Sequence, residues 1–100
     1  MKDAKYRFAL IDRESGDEMR LPEGSFIALL NKTSGKIIPE DEPGFIIRGR
    51  DIIAPEAIKH YIARAKVYGC KDILFATVNE QLNDVEIWRN NNPVQVRNPD

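Results

Sequence analysis

Several residue types are scarce in this chain, and each scarcity excludes a class of site. One cysteine and one histidine among 100 residues exclude a disulfide within the chain and a metal site built from several Cys or His ligands. Phosphate-binding loops of the Gly-x-x-x-x-Gly-Lys type and Gly-x-Ser-x-Gly elbows are missing as well. We therefore expect no metal site, no cofactor and no catalytic residues. A lone cysteine also fits the reducing cytosol, which predicts a cytoplasmic protein.

Strong net charge and long apolar runs are lacking too. Fifteen basic and sixteen acidic residues leave a net charge of −1, which gives no general attraction to nucleic acid or to an anionic membrane. No apolar run approaches the roughly 20 residues that cross a bilayer. The opening residues, MKDAKYRF, do not form a signal-peptide pattern. We expect no nucleic-acid partner and no membrane association.

The composition that remains is that of a small globular domain, 42% hydrophobic and 31% charged. One hundred residues allow a single modest core. We predict one domain over residues 1–93 and a flexible tail over 94–100, because Asn90-Asn91-Asn92-Pro93 is a typical helix stop.

The first half of the chain alternates between apolar and polar residues and is interrupted by turns, which predicts short strands. Two stretches look alike at an offset of 19 positions: Ser15-Gly16 aligns with Ser34-Gly35, and Phe26-Ile27 aligns with Phe45-Ile46. Two hairpin-like units in succession would build an antiparallel sheet. Chance similarity between turn-rich segments competes with duplication, so the repeat supports only the predicted strands.

The second half carries two helical patterns. Pro55 suits a first helical turn and Gly69 suits a helix end. Apolar residues recur at helical spacing over 54–68 and again over 73–89. The predicted fold is therefore α+β, with a small antiparallel sheet (residues 5–50) packed on an antiparallel two-helix hairpin (54–89).

Two predicted strands are apolar on both sides, at residues 26–30 and 45–47. Two helices cover only one face of a sheet, and a second subunit is the usual cover for the other. We therefore expect a homo-oligomer. The alternative is a central strand whose far side is shielded by loops.

Arginines form the only candidate site. Arg48 and Arg50 are two positions apart, so both leave the same side of a strand end, directly before a helix N-terminus that favours anions. Their planar forks match phosphate or carboxylate, and Arg7 on the first strand is a third candidate. The alternative is that Arg48 and Arg50 pair with Asp51, Glu56 or the acidic loop 40–42 and only hold the strand end.

The segment DEPGFIIRGRDIIAPEAIKHYIARAKVYG resembles a pattern in small uncharacterised proteins of phages and bacteria. In that pattern an acidic-Pro stretch, an apolar strand, Arg-x-x-Asp and Ala-Pro lead into a helix, and a Trp ends the next helix. Here those features are Asp41-Glu42-Pro43, Phe45-Ile46-Ile47, Arg48 with Asp51, Ala54-Pro55, and Trp88. The resemblance carries no activity. It implies a small accessory protein, phage-encoded, that binds and blocks rather than catalyses.

These observations favour a non-enzymatic cytoplasmic protein that binds or sequesters an anionic small molecule, such as a nucleotide-like signal of host defence, or binds a host protein. Two alternatives stay open. One is an enzyme whose active site, with His60, arginines and carboxylates, is assembled between subunits. The other is a structural subunit of a larger assembly.

Overall fold

The computed structural model describes residues 1–99, which form two compact units: Met1–Ile46 and a second unit from Ile47 on. The second unit contains helix α1 (Ala54–Val67), helix α2 (Asp72–Asn91) and a 3-10 turn at Pro93–Gln95. Within residues 1–99 there is no strand, and the backbone outside the helices pairs only at isolated bridges.

The predicted sheet over residues 5–50 is therefore wrong, and the α+β class with it. The first unit is irregular, and the second unit contains a helical hairpin. In the first unit each turn closes a single antiparallel bridge, Ile11 to Glu18 and Leu30 to Ile37. Alternation along a segment predicts which way side chains face, but a sheet also needs a partner segment long enough to continue the ladder.

Two prolines limit how far the ladders could continue. The chain that returns from the first turn reaches Pro22, and the chain that returns from the second reaches Pro39. Proline has no N–H to donate to a ladder. Each proline instead begins a tight turn: its carbonyl accepts the N–H of Ser25 at 3.0 Å in one case and of Glu42 at 3.2 Å in the other.

The 19-residue repeat is present as a repeat of hydrogen bonds. The Asp12 Oδ1 atom accepts the N–H groups of Glu14 and Ser15, both at 2.9 Å. The Asn31 Oδ1 atom likewise accepts the N–H groups of the residues two and three positions later in the chain, at 2.9 and 3.1 Å. The backbone bonds that close the turns also correspond, and both turns use a glycine at positive φ, Gly16 at 76° and Gly35 at 73°. The predicted turns are confirmed, although no strand extends from them.

Asp3 joins the beginning of the first unit to its end. One carboxylate oxygen accepts the N–H groups of Lys5 and Tyr6, and the other accepts that of Ile46, all at 2.8 Å. These hydrogen bonds lower the pKa of Asp3, with the bond from Tyr6 contributing most. The first unit is thus fixed by polar contacts, and none of its residues is fully buried.

Helix α1 begins and ends at residues suited to those positions. Pro55 stands in the first turn, where a missing N–H costs nothing, and Glu56 favours the positive end of the dipole. Beyond the helix, Gly69 adopts φ 68°. The N–H groups of Gly69 and Cys70 then reach back to carbonyls of the last turn at 3.1 Å.

Helix α2 packs against α1. Asp72 stands in its first turn without capping it through its side chain, and the Asn92 side-chain amide donates to the Trp88 carbonyl at 2.9 Å as the helix ends. The buried apolar residues are few: Ala54, Ala65 and Val85. This small core holds the hairpin together.

The residues after α2 return to the segment before α1. The N–H of Arg97 donates to the Arg50 carbonyl at 3.0 Å, and the N–H of Ile52 donates to the Arg97 carbonyl at 2.9 Å. These bonds form a single parallel bridge. Part of the predicted tail, residues 94–100, thus makes backbone hydrogen bonds, while Asp100 lies outside the described residues.

Candidate anion-binding site

The segment that carries the two arginines is folded into a fixed turn. The Asp51 carboxylate accepts the N–H of Arg48 at 3.1 Å, and the Asp51 N–H donates to the Arg48 carbonyl at 3.0 Å. The N–H of Ala54 donates to the Asp51 carbonyl at 2.9 Å, which joins the turn to the start of α1. Asp51 is buried, and its carboxylate serves the backbone of this turn. The turn therefore presents Arg48 and Arg50 in a set geometry.

Arg48 and Arg50 line one cleft together with a face of α2. The cleft has a volume of about 360 Å³, which is within the range of small-molecule sites. Its walls are the turn on one side and α2 on the other, and they comprise Arg48, Gly49, Arg50, Gln81, Asp84, Val85 and Trp88. Gly49 lies close to the helix, since a Cβ at that position would lie 3.9 Å from both the Trp88 ring and the Val85 side chain.

The charges in this cleft are only partly compensated. In the described part of the chain the Arg48 guanidinium has no hydrogen-bond or ion-pair partner. Arg50 donates to the neutral amide oxygen of Gln95 at 3.0 Å, which holds the side chain and leaves its charge. Asp84 contributes one carboxylate, so two positive charges against one negative charge leave the cleft at +1. An anion is the ligand that such a cleft favours.

The sequence-based alternative was that Arg48 and Arg50 pair with nearby carboxylates. The ion pairs among residues 1–99 are Arg7–Glu18 and Lys59–Glu86, and neither contains Arg48 or Arg50. The Asp51 carboxylate contacts only the backbone of Arg48. Both guanidinium groups thus keep their charge available to a ligand.

Arg7, the third predicted site residue, belongs to the first unit. Its guanidinium binds the Glu18 carboxylate through two hydrogen bonds, of 2.7 and 2.8 Å. The bond raises the pKa of Arg7 and lowers the pKa of Glu18. Arg7 also lines a separate cleft in that unit, of about 410 Å³, with apolar neighbours that include Tyr6, Phe8 and Phe26. Since its charge is already compensated, Arg7 is a weaker candidate than Arg48.

The α2 wall of the cleft was not predicted. Its residues are Gln81, Asp84, Val85 and Trp88, spaced at i, i+3, i+4 and i+7, which is one face of a helix. That spacing was visible in the sequence, but Trp88 was interpreted there only as the residue that closes α2. The turn at Gly49 precedes this face by about 40 positions in the chain. Nothing in the sequence indicated that the two would lie against each other.

Other site classes find little support. Among residues 1–99 no group of three or more His, Cys, Asp or Glu side chains is placed to hold a metal ion. His60 and Cys70 do not line the cleft of Arg48 and Arg50. Over the same residues, neither helix combines the length and apolar character needed to span a bilayer.

Comparisons of the chain with protein-family models, with curated proteins and with solved structures found no match.

Proposed function

We propose that this chain is a non-enzymatic cytoplasmic binding protein that holds an anionic small molecule in the cleft of Arg48, Arg50 and Trp88. The observation that carries the proposal is the Arg48 guanidinium, which lines a ligand-sized cleft without a partner among the described residues. Sequestration needs only affinity, so such a protein requires no catalytic group. A nucleotide-like signal combines the negative charge and the flat ring that this cleft would accept.

Preorganisation supports the same proposal. The Asp51 hydrogen bonds fix the turn, and Gln95 fixes Arg50. A ligand would therefore meet a fixed backbone turn and an ordered Arg50 side chain, which lowers the entropy lost on binding. Arginine forks also give bidentate hydrogen bonds to phosphate oxygens.

Tryptophan fluorescence offers a direct test, because Trp88 is the only tryptophan of the chain and lies in the cleft. Pyrophosphate, which does not absorb in this range, is the probe. We expect saturable binding by the wild-type chain at low ionic strength. Replacing Arg48 and Arg50 together by alanine should weaken binding by about a hundredfold or more, since each lost charge-assisted bond costs about 1.5–3 kcal/mol.

Two further variants make the result specific. Replacing both arginines by lysine keeps the charge and removes the planar fork, so affinity should be intermediate. Arg20→Ala removes an exposed arginine of the first unit and should leave binding unchanged. If the double alanine variant binds pyrophosphate as tightly as the wild type, the anion site is not at this cleft and the proposal fails.

We propose in addition that the chain associates with a second copy of itself. Many large apolar side chains are exposed, among them Phe45 at 78% and Tyr68 at 76%. Burying such side chains against a second copy would remove apolar surface from water, which favours association.

Sedimentation equilibrium tests this association. We expect a mass above the 11.4 kDa of one chain at micromolar concentration, and dissociation on dilution. A single species of 11.4 kDa over the whole accessible range would contradict it, and the anion site would be unaffected because its lining belongs to one chain.

A further inference from the structure

The α2 wall of the cleft carries hydrogen-bonding and aromatic side chains that a bare phosphate ion does not need. Asp84 and Trp88 are separated by four positions and therefore stand next to each other on the surface of α2. Gln81 lies one turn before Asp84 on the same face. An anion that entered beside these side chains without contacting Arg48 would be repelled by the Asp84 carboxylate. A matching ligand must therefore have a negative end for the arginines and a hydrogen-bond-donating end for α2.

Trp88 restricts that second end to a flat ring. The indole is only half-buried, and the turn at Gly49 approaches it at Cε3. Trp88 also lines the cleft. An indole face stacks well on a nucleobase, whichever base it is. Stacking thus favours a nucleotide over a simple phosphate without choosing the base.

Asp84 and Gln81 choose the base. An ionised carboxylate accepts hydrogen bonds through two oxygens and donates none, whereas a glutamine amide can donate. The edge of guanine presents the O6 acceptor, then N1–H and the N2 amino group as adjacent donors. The Asp84 carboxylate matches the two donors and the Gln81 amide matches O6. Adenine presents an unprotonated N1 at the same place, which the carboxylate would repel.

We propose that the cleft is selective for guanine nucleotides: Arg48 and Arg50 hold the phosphate, Trp88 stacks on the base, and Asp84 with Gln81 reads its edge. This inference rests on the proposed anion site and names its ligand class. The assignment also explains why a carboxylate lines a cleft whose other charged groups are arginines.

Isothermal titration calorimetry of the full chain with GDP, IDP, ADP and pyrophosphate separates the two proposals. We expect GDP to bind at least tenfold more tightly than ADP. IDP, which lacks the N2 amino group, should be intermediate, and pyrophosphate should be weakest. Asp84→Asn replaces one acceptor oxygen by a donor, so it should remove the preference for GDP over ADP while pyrophosphate binding is kept or strengthened. Glu80→Gln, a matched change on α2 outside the cleft, should alter none of these affinities.

Three other outcomes would each overturn part or all of these proposals. Equal binding of GDP, ADP and pyrophosphate would overturn base recognition and leave the anion site standing. Absence of binding by all four would overturn both proposals. A preference for GDP that survives in Asp84→Asn would show that the base is not read by Asp84, and the assignment made here would be wrong. Circular dichroism of each variant checks that the helices are intact, which we expect because the Asp84 side chain is exposed and makes no hydrogen bond to the described chain.

Discussion

Different interactions stabilise each of the two units of this chain. In Met1–Ile46, no residue is fully buried, and the order comes from tight turns and from side chains that bind backbone N–H groups. In the unit from Ile47 on, two helices pack through a few buried residues. Repeated hydrogen-bonded turns thus fix local conformation without making a core. A ligand cleft with fixed walls is therefore more to be expected in the second unit.

The largest effect should come from breaking the small core. Ala65 is 7% exposed, and Ala65→Asp would bury a charged side chain in the small core, which costs roughly 3–5 kcal/mol. We expect loss of most helical signal in far-ultraviolet circular dichroism. Val94→Asp places the same charge at a residue that is 94% exposed, and should change stability by less than about 0.5 kcal/mol.

Amide hydrogen exchange on the Ala65→Asp variant tests whether the two units are stabilised independently. The turn amides Ser15 and Ser34 should exchange as in the wild type, because local side-chain bonds protect them. Equal loss of protection in both units would contradict the view that the first unit is fixed independently of the helical core.

The helical half was largely predictable from the sequence, and the reason is local. Helix signals lie within a few residues of the helix itself: Pro55 at the start, Gly69 at the end, and apolar residues at steps of three and four between them. The predicted ranges, 54–68 and 73–89, accordingly agree with α1 and α2 to within about two residues at each end.

The sheet and half of the cleft were not predictable in this way, because both depend on partners distant in the chain. Alternation around Phe26 and Phe45 is present in the sequence, yet the bridges stop at Glu18 and Ile37. Likewise, Arg48 and Arg50 could be singled out from their spacing and their place before a helix. Their neighbour Trp88 required knowledge of how the turn packs on α2.

A smaller effect is expected at the connection between the helices. Gly69 has φ 68°, a conformation that costs other residues about 1–2 kcal/mol. Gly69→Ala should therefore lower the free energy of unfolding by that amount in a urea titration. Gly49→Ala is the control: its φ is not positive and the added Cβ would meet its neighbours at an ordinary 3.9 Å. A larger loss for Gly49→Ala than for Gly69→Ala would contradict the backbone argument.

The two turns of the first unit should differ in their response to acid, although their hydrogen bonds correspond. Backbone N–H groups, first that of Ser15 and then that of Glu14, lower the pKa of Asp12 below its usual 3.8. The carboxylate therefore stabilises its turn fully above that value, and the stabilisation disappears as the pH falls through the lower folded-state pKa. Asn31 holds the equivalent turn and does not titrate in this range.

Nuclear magnetic resonance spectra recorded from pH 6 to about pH 2 would measure this difference. We expect the Ser15 amide to shift and lose protection below about pH 4, with the Ser34 amide nearly unchanged by its own turn. In Asp12→Asn the acid response of Ser15 should disappear. Parallel shifts of Ser15 and Ser34 in the wild type would mean that global unfolding, rather than Asp12, controls both turns.

The central claim is that the anion site lies in the second unit, between the turn at Gly49 and the face of α2. A titration of the isotopically labelled full chain with pyrophosphate, followed through its amide resonances, tests this claim most directly. We expect saturable shifts at Arg48, Gly49, Arg50, Asp84 and Trp88 with the same dissociation constant, and small shifts around Arg7, whose charge is paired with Glu18. Saturable shifts centred on Arg7, or none at the cleft, would contradict it.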